Sequence, residues 1–398
     1  MKNAGPTLGI DFGTSYSSAA VVIDGSVELV IDGGDRSIPS VVYFPERGAP
    51  QVGRAALSRL PAEPHQTVSS IKRVLGRRYD DTAVRRLDVG VGYKLARGPG
   101  GSVVLDLPSG RVAPAQVVGL ILDRLRGLAE RRFGGPITRA VLSVPATADA
   151  GYRAALSKAA QLARLEVVRM VAEPVVGALA VGKNMTPATR NIAVCDFGGG
   201  TFDLTLAQQR GHDFTCPLVA GDGMLGGDDF DEAIANMVAD AVATGASYDM
   251  RHSVVRWRGL VLRAEQVKRV LSRTDVARLR MKDAYTAFGR QRDLDIEIGR
   301  GRAERRFQPL LDRAVMAVDD LRARAEARGC DVDEVLLIGG TSLIPSVQAH
   351  LADAFHRPVE LTAEADVVVA IGAALLADAL TSTSVDKDPY REAASALL

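Results

Sequence analysis

The sequence predicts an α/β protein built from two similar halves. Three observations carry that prediction. An apolar run ending in Asp-Phe-Gly and followed by a Thr occurs twice, at Leu8-Gly9-Ile10-Asp11-Phe12-Gly13-Thr14 and at Ile192–Thr201. After each copy, short strand-like runs alternate with stretches of helical spacing. At 398 residues the chain is too long for one core and suggests two or more domains. One copy alone would carry little weight, since Asp-Gly pairs are ordinary turn punctuation. Two copies, each opening a strand-rich half, point to two lobes facing one ligand.

The elements follow in order. Leu8–Ile10, Ala19–Ile23, Val27–Ile31 and Ser40–Phe44 read as short strands between Gly/Asp turns. Residues 50–115 are less regular, with Pro61, Pro64 and a basic stretch, Ile71 to Arg78. Gln116–Phe133 carries apolar residues at helical spacing and stops at Gly134-Gly135. Ala140–Val144 is a strand ended by Pro145, Asp149–Leu165 an Ala-rich helix, Glu166–Ala172 a strand, and Pro174–Val181 a helix. The second half repeats this: strands at 192–195, 202–207 and 214–220, helices within 228–275, strands near 276–298 and a helix over 303–328. A strand Val335–Ile338, a helix from Pro345 and a helix Ala370–Ala379 complete it, before a polar tail, 381–398, expected to be poorly ordered.

Composition narrows the function. Lys+Arg 49 against Asp+Glu 48 leaves +1, which gives no global attraction for nucleic acid or an anionic membrane. The basic runs Arg302–Arg306 and Arg322–Arg328 read as solvated helix faces. No window reaches the roughly 18 apolar residues of a membrane span, and the first residues lack a secretory apolar core. The cysteines Cys195, Cys216 and Cys330 have no CxxC spacing and are expected to be free thiols in a reducing cytoplasm. The histidines form no zinc pattern.

Chemistry concentrates at Ile192–Asp203. A buried strand ends at Asp196, three glycines let the backbone turn N–H groups toward an anion, and Thr201 and Asp203 follow. A carboxylate beside a phosphate cradle is repulsive without a cation between them, so Mg²⁺ is implied. Glu173, just before Pro174, sits at a strand-to-helix junction and is equally well read as an N-cap. Composition alone favours a solvated basic loop for Lys72. Glu265, Lys268, Arg269 and Ser272 form one polar helical stripe, more simply a solvated face than a base-binding plane. Gly339-Gly340-Thr341-Ser342 allows close backbone approach to a ligand or is a plain turn, and Gly226–Asp231 reads as a tight turn opening a helix.

Taken together, these segments resemble the actin-like ATPase superfamily and, within it, the nucleotide-binding domain of the DnaK-type, or heat shock protein 70, chaperones. The resemblance rests on G-I-D-F-G-T-S-Y-S (9–17), G-D-R-S-I-P-S (34–40), I-K-R-V-L-G-R-R (71–78), L-S-V-P-A (142–146) and A-E-P-V-V-G-A-L-A-V-G (172–182). It continues through D-F-G-G-G-T-F-D (196–203), L-G-G-D-D-F-D (225–231), A-E-Q-V-K-R-V-L-S (264–272), L-I-G-G-T-S-L-I-P-S-V-Q (337–348) and D-V-V-V-A-I-G-A-A (366–374). It implies an actin-like fold of two ribonuclease-H-like lobes, 1–190 and 191–380, around a nucleotide cleft. Extra subdomains are expected at about 40–115 and 228–306.

The same resemblance implies that Asp11 and Asp196 hold Mg²⁺ through water, with K⁺ as a further candidate ion. Gly13, Thr14, Ser15, Tyr16 and Gly198, Gly199, Gly200 and Thr201 would cradle the phosphates of ATP or ADP, with Gly226 and Gly227 beside them. Lys72, Glu173, Asp203 and Thr201 would act on the attacking water. Glu265, Lys268, Arg269 and Ser272 would hold ribose and adenine. Gly339, Gly340, Thr341 and Asp366 would form the floor.

The departures are equally specific. Leu343 stands where the family usually has an Arg stacking on adenine, a loss of about 0.5–2 kcal/mol that predicts weaker nucleotide binding. The aromatic and Asn that usually follow V-P-A are absent from Ala146-Thr147-Ala148-Asp149, and Ala172 replaces an Asn. Pro145, Arg153 and Arg169 match residues that couple nucleotide state to J-domain cochaperones, so such a cochaperone and a nucleotide-exchange factor are candidate partners. No peptide-binding β-sandwich of the kind the resemblance would imply is expected within residues 381–398. The leading expectation is a slow, Mg-dependent chaperone-like ATPase that changes conformation with nucleotide. The alternative is a nucleotide-switched scaffold, including actin-like assembly. A small-molecule kinase is disfavoured for want of an acceptor site.

Overall fold

A computed structural model describes residues 5–82, 84, 85, 87, 91–181, 188–211, 213–287, 289–362 and 364–381. Two main sheets organise the chain, and their strands are numbered β1 to β10. The first contains β1 (Leu8–Phe12), β2 (Tyr16–Ile23), β3 (Ser26–Leu29), β4 (Arg139–Val144) and β5 (Glu166–Ala172), in the order β5-β4-β1-β2-β3. The second contains β6 (Ala188–Phe197), β7 (Phe202–Gly211), β8 (Asp213–Asp222), β9 (Glu334–Ile338) and β10 (Glu360–Leu361), in the order β8-β7-β6-β9-β10. In each, the strand ending in Asp-Phe pairs antiparallel with the next in sequence and parallel with one that returns through a helix. The doubled motif thus marks a doubled topology, a mixed α/β architecture consistent with the actin-like fold.

The longer helices are α1 (Pro114–Phe133), α2 (Ala150–Leu162), α3 (Glu173–Ala180), α4 (Gly227–Ala246), α5 (Val254–Leu271), α6 (Arg300–Glu326), α7 (Pro345–Phe355) and α8 (Val368–Thr381). Local chemistry sets their ends. α1 starts at Pro114, two residues before the predicted Gln116, because the Gln116 side chain accepts from the Ala113 N–H at 2.8 Å; it ends at Gly134, whose φ of 74° is left-handed. Asp149 is not the first turn of α2 but its N-cap, accepting from Tyr152 N–H at 2.7 Å. α6 begins at Arg300 and carries Pro309 within it. The tail from 382 and Gly182 of the 172–182 segment lie outside the described residues.

Two expectations change. Ser40–Phe44 is not one strand: Ile38–Pro39 pairs with β2, and Val42–Tyr43 pairs in a separate small sheet. The stretch read as less regular contains a three-stranded sheet, Lys94–Arg97, Val103–Leu107 and Gly110–Val112. Its strands are too short, and too closely spaced by glycines, for their alternation to stand out.

The cores explain how the two sheets meet. One apolar cluster covers the first sheet with α1 and α2; another joins the second sheet to α4, α5, α6 and a long hairpin, Val276–Ala287 with Arg290–Gly299. A third contains Val141 of β4, Ile192 of β6, Val176 of α3 and Ala373 of α8, so these two helices form a layer between the sheets. Glycines make that layer thin. A Cβ on Gly372 would lie 1.9 Å from the Val176 carbonyl oxygen, and one on Gly9 2.1 Å from the Ala374 nitrogen.

Both clashes are with backbone, which cannot rotate away. Gly372→Ala is therefore expected to cost about 1–3 kcal/mol by overpacking and to lower the urea midpoint without changing m. An unchanged midpoint would show that the α3–α8 contact is slack.

Candidate functional site

The two Asp-Phe-Gly turns close on one another at the base of a cleft. A Cβ on Gly199 would lie 2.1 Å from the Ser15 hydroxyl oxygen, and one on Gly200 2.5 Å from Thr14 Cγ2. The cleft opens above them as a cavity of about 700 Å³. Of the residues expected to hold nucleotide or metal or to act on the water, all but Gly200, Gly226 and Asp203 line it. Gly226 packs against the Gly199–Gly200 backbone, and Asp203 lies buried with the Thr201 hydroxyl donating to it.

The loop after β6 is held at both ends by aromatic packing. Phe197 and Phe202 sit with ring centroids 4.6 Å apart, Phe230 lies against Phe197, and Phe307 against Phe230. Between them, three successive carbonyls are taken by neighbouring donors. Gly198 O accepts from Gly227 N–H at 3.0 Å and the Thr341 hydroxyl at 2.7 Å; Gly199 O accepts from Asp228 N–H at 2.7 Å; Gly200 O accepts from Arg73 Nη2 at 2.9 Å. Across a planar trans peptide the next N–H points the opposite way. The N–H groups of Gly199, Gly200 and Thr201 therefore turn away from those donors, which makes a nest for an anion. In the first half, the Ser40 hydroxyl holds the Gly13 carbonyl at 2.8 Å in the same manner.

Charge gathers at the inner end of the cleft. Lys72 Nζ lies 2.8 Å from Glu173 Oε1, their side chains 9% and 5% exposed, so Lys72 is not on a solvated loop and Glu173 is not an N-cap. Lys72 sits on a 3₁₀ turn, Ile71–Val74, anchored by the buried Ile71 and Val74. Asp11 takes a hydrogen bond from the Ser143 hydroxyl at 2.9 Å. Burial pushes the Asp11, Asp203 and Glu173 carboxyls up, Glu173 to about 7, with Lys72 opposing. Burial, then Glu173, Asp11 and Asp203, holds Asp196 well above the usual range. For Lys72 burial works the other way, yet Glu173, Tyr152 and Asp11 outweigh it and keep the ammonium firmly charged. Four buried carboxyl groups thus share one lysine, a donor set that fits a hard cation. Among the described residues no three His, Cys, Asp or Glu side chains converge closely enough to ligate a metal directly.

At the mouth, the polar stripe of α5 lines the cavity, with the Arg269 side chain still 58% exposed, and its groups have protein partners. Lys268 Nζ pairs with Asp231 at 2.9 Å and donates to Gly227 O at 2.7 Å. Tyr16 donates to Glu265 at 2.8 Å, Glu265 pairs with Arg269, and the Arg269 guanidinium lies 4.5 Å over the Tyr16 ring. The Ser272 hydroxyl donates to Lys268 O at 3.1 Å. Gly339, Gly340 and Asp366 line the opposite wall with Leu343, Ile344 and Val369. Arg36 reaches across to Asp366 at 3.0 Å and Glu364 at 3.4 Å.

Four contributors went unread in the sequence. Ser143 is the one polar side chain in the run Ala140–Val144, a legible signal. Arg73 follows Lys72 directly. Asp228, within the turn that opens α4, accepts from Ser15 at 2.7 Å and Ser70 at 3.4 Å, tying α4 to the first half. Tyr152 is the one aromatic side chain of α2, and its hydroxyl is buried.

A family model described as Hsp70 protein matches residues 7–390.

The raised Glu173 carboxyl makes a prediction of sign. Its folded value, about 7, lies above its ordinary 4.5. The folded state therefore binds the extra proton, and the stability this gives is present below pH 4.5 and lost as pH rises through about 7. In the absence of nucleotide, Tm should fall from pH 6 to pH 8 more steeply for wild type than for Glu173→Gln. Parallel slopes would contradict it.

Proposed function

The chain belongs to the Hsp70 family, whose members are ATP-binding chaperone ATPases, and we propose that its cleft binds Mg-ATP and hydrolyses it slowly. The observation that carries this reading is the buried Lys72–Glu173 pair, set at 2.8 Å inside a cavity whose base is the glycine nest. Mg²⁺, held through its hydration shell by Asp11 and Asp196, would supply the charge neutralisation that the excess of carboxylates calls for when bound.

The nest of Gly199, Gly200 and Thr201 N–H groups, with Thr14 and Ser15 opposite, holds the phosphates. Lys72 neutralises charge on the γ-phosphoryl group, and Glu173 orients the water. The water oxygen bonds to the γ-phosphorus as the bond to the β–γ bridging oxygen breaks. The bridging oxygen leaves with the electron pair on ADP, and one water proton moves toward Glu173. Positioning and charge do most of this work, as in phosphoryl transfer generally. Adenine lies between the α5 stripe and the wall of Leu343, Ile344 and Val369. To do so it must draw Arg269 off the Tyr16 ring, and with Leu343 offering no guanidinium the affinity is lowered by about 0.5–2 kcal/mol.

The Tyr16–Glu265 and Arg36–Asp366 contacts join the two halves at the cleft mouth, which supports a reading in which lobes 1–190 and 191–380 open and close with nucleotide. Pro145, Arg153 and Arg169 are the surface we assign to a J-domain type of partner.

Single-turnover hydrolysis tests the reading. Lys72→Ala and Glu173→Gln are each expected to slow it by about 10²–10³ while still binding Mg-ATP. If wild type binds Mg-ATP but hydrolyses no faster than these variants, the cleft is a nucleotide switch and not an ATPase.

A further inference from the structure

The glycine nest is held from two sides. Gly198 O and Gly199 O are taken within the second half, by Gly227 N–H, the Thr341 hydroxyl and Asp228 N–H. Gly200 O is taken from the first half: among the described residues its donor is Arg73 Nη2, at 2.9 Å. The N–H on the other side of that peptide belongs to Thr201, which lines the cavity. The direction of the last nest N–H therefore depends on a side chain that reaches over from the opposite half.

Arg73 is fixed in that position. It follows Lys72 on the same 3₁₀ turn, and its side chain is 10% exposed. Asp229 Oδ2, at the start of α4, lies 3.7 Å from the same Nη2 and accepts from Gly226 N–H at 2.8 Å. A Cβ on Gly200 would come within 2.9 Å of Arg73 Nε, so the guanidinium rests against the bare Cα of that glycine. Nε itself is buried without a hydrogen-bond partner. The guanidinium thus sits where Gly200 needs it, at the expense of one of its own donors.

We propose that Arg73 is a positioning residue for phosphoryl transfer: it turns the Thr201 N–H into the cleft, so that the phosphate cradle is complete only while the two halves are closed. The inference rests on the ATPase reading. Lys72 and Arg73 share one turn, so the closure that brings the ammonium to the terminal phosphate also finishes the nest. When the halves part, Gly200 O loses its donor and the Gly200–Thr201 peptide is free to swing. The Gly199 and Gly200 N–H groups stay set by their own half and still hold ADP, while the terminal phosphate meets an unfinished site.

Two variants test this on the full chain. Arg73→Met keeps the stem and removes the donors, and Arg73→Lys keeps a donor for Gly200 O. Tm, Mg-ADP affinity and the single-turnover rate are read for both. The expected result is an Mg-ADP affinity within about two-fold of wild type, a rate lowered about ten-fold in Arg73→Met, and most of that rate recovered in Arg73→Lys. An unchanged rate in folded Arg73→Met overturns the proposal. So does an equally slow Arg73→Lys, which would make packing and not the donor the cause, or a ten-fold loss of Mg-ADP affinity, which would make Arg73 a support for the whole cradle. If Arg73→Met does not fold, Arg73→Ala is read in its place, and failure of both to fold makes Arg73 structural and overturns the proposal. A wild type no faster than Lys72→Ala sinks the ATPase reading itself; an active wild type matched by Arg73→Met sinks this proposal alone.

Discussion

Four buried carboxyl groups around one lysine set the terms for the rest of this molecule. Asp11, Asp196 and Asp203 come from three strands and Glu173 opens α3, and among the described residues Lys72 is the cation that offsets them. Such a cluster is not a way to stabilise a fold. Desolvating each carboxylate costs more than a shared ammonium returns, so the free protein answers by raising their proton affinity. The arrangement makes sense as a site whose missing positive charge arrives with its ligand.

Holding that cluster requires rigidity on all sides, and the fold supplies it by symmetry of construction. The same strand order occurs in both sheets, so each brings one Asp-Phe-Gly turn to the cleft floor. Helices α3 and α8 fill the space between them, and glycines at 9 and 372 keep that layer thin enough for the turns to touch. Phe197 and Phe202 clamp the second turn, while Thr341, Arg73 and the start of α4 draw its carbonyls outward. The phosphate cradle is thus a by-product of the hydrogen bonds that hold its carbonyls.

Much of this was legible in the sequence. The repeated Asp-Phe-Gly motif foretold the two-sheet plan, and apolar periodicity found the longer helices. Spacing could not show that Lys72 is buried, because its neighbours Ile71 and Val74 read equally well as a basic loop's occasional apolar residues. Nor could it show Ser143 against Asp11, or Asp228 against Ser15: these contacts join residues far apart in the chain. The small sheet over 94–112 escaped because its strands, at three to five residues, reach no further than the short end of the range in which alternation can be read.

The charge imbalance also gives the most direct test of the whole account. Calorimetric titration of the protein with Mg-ATP at pH 7, repeated in buffers of different ionisation enthalpy, counts the protons exchanged on binding. The carboxyl groups must give up their protons as cation and phosphates enter, so the account predicts net proton release that is much reduced in Glu173→Gln. Binding with no proton release in wild type would contradict it.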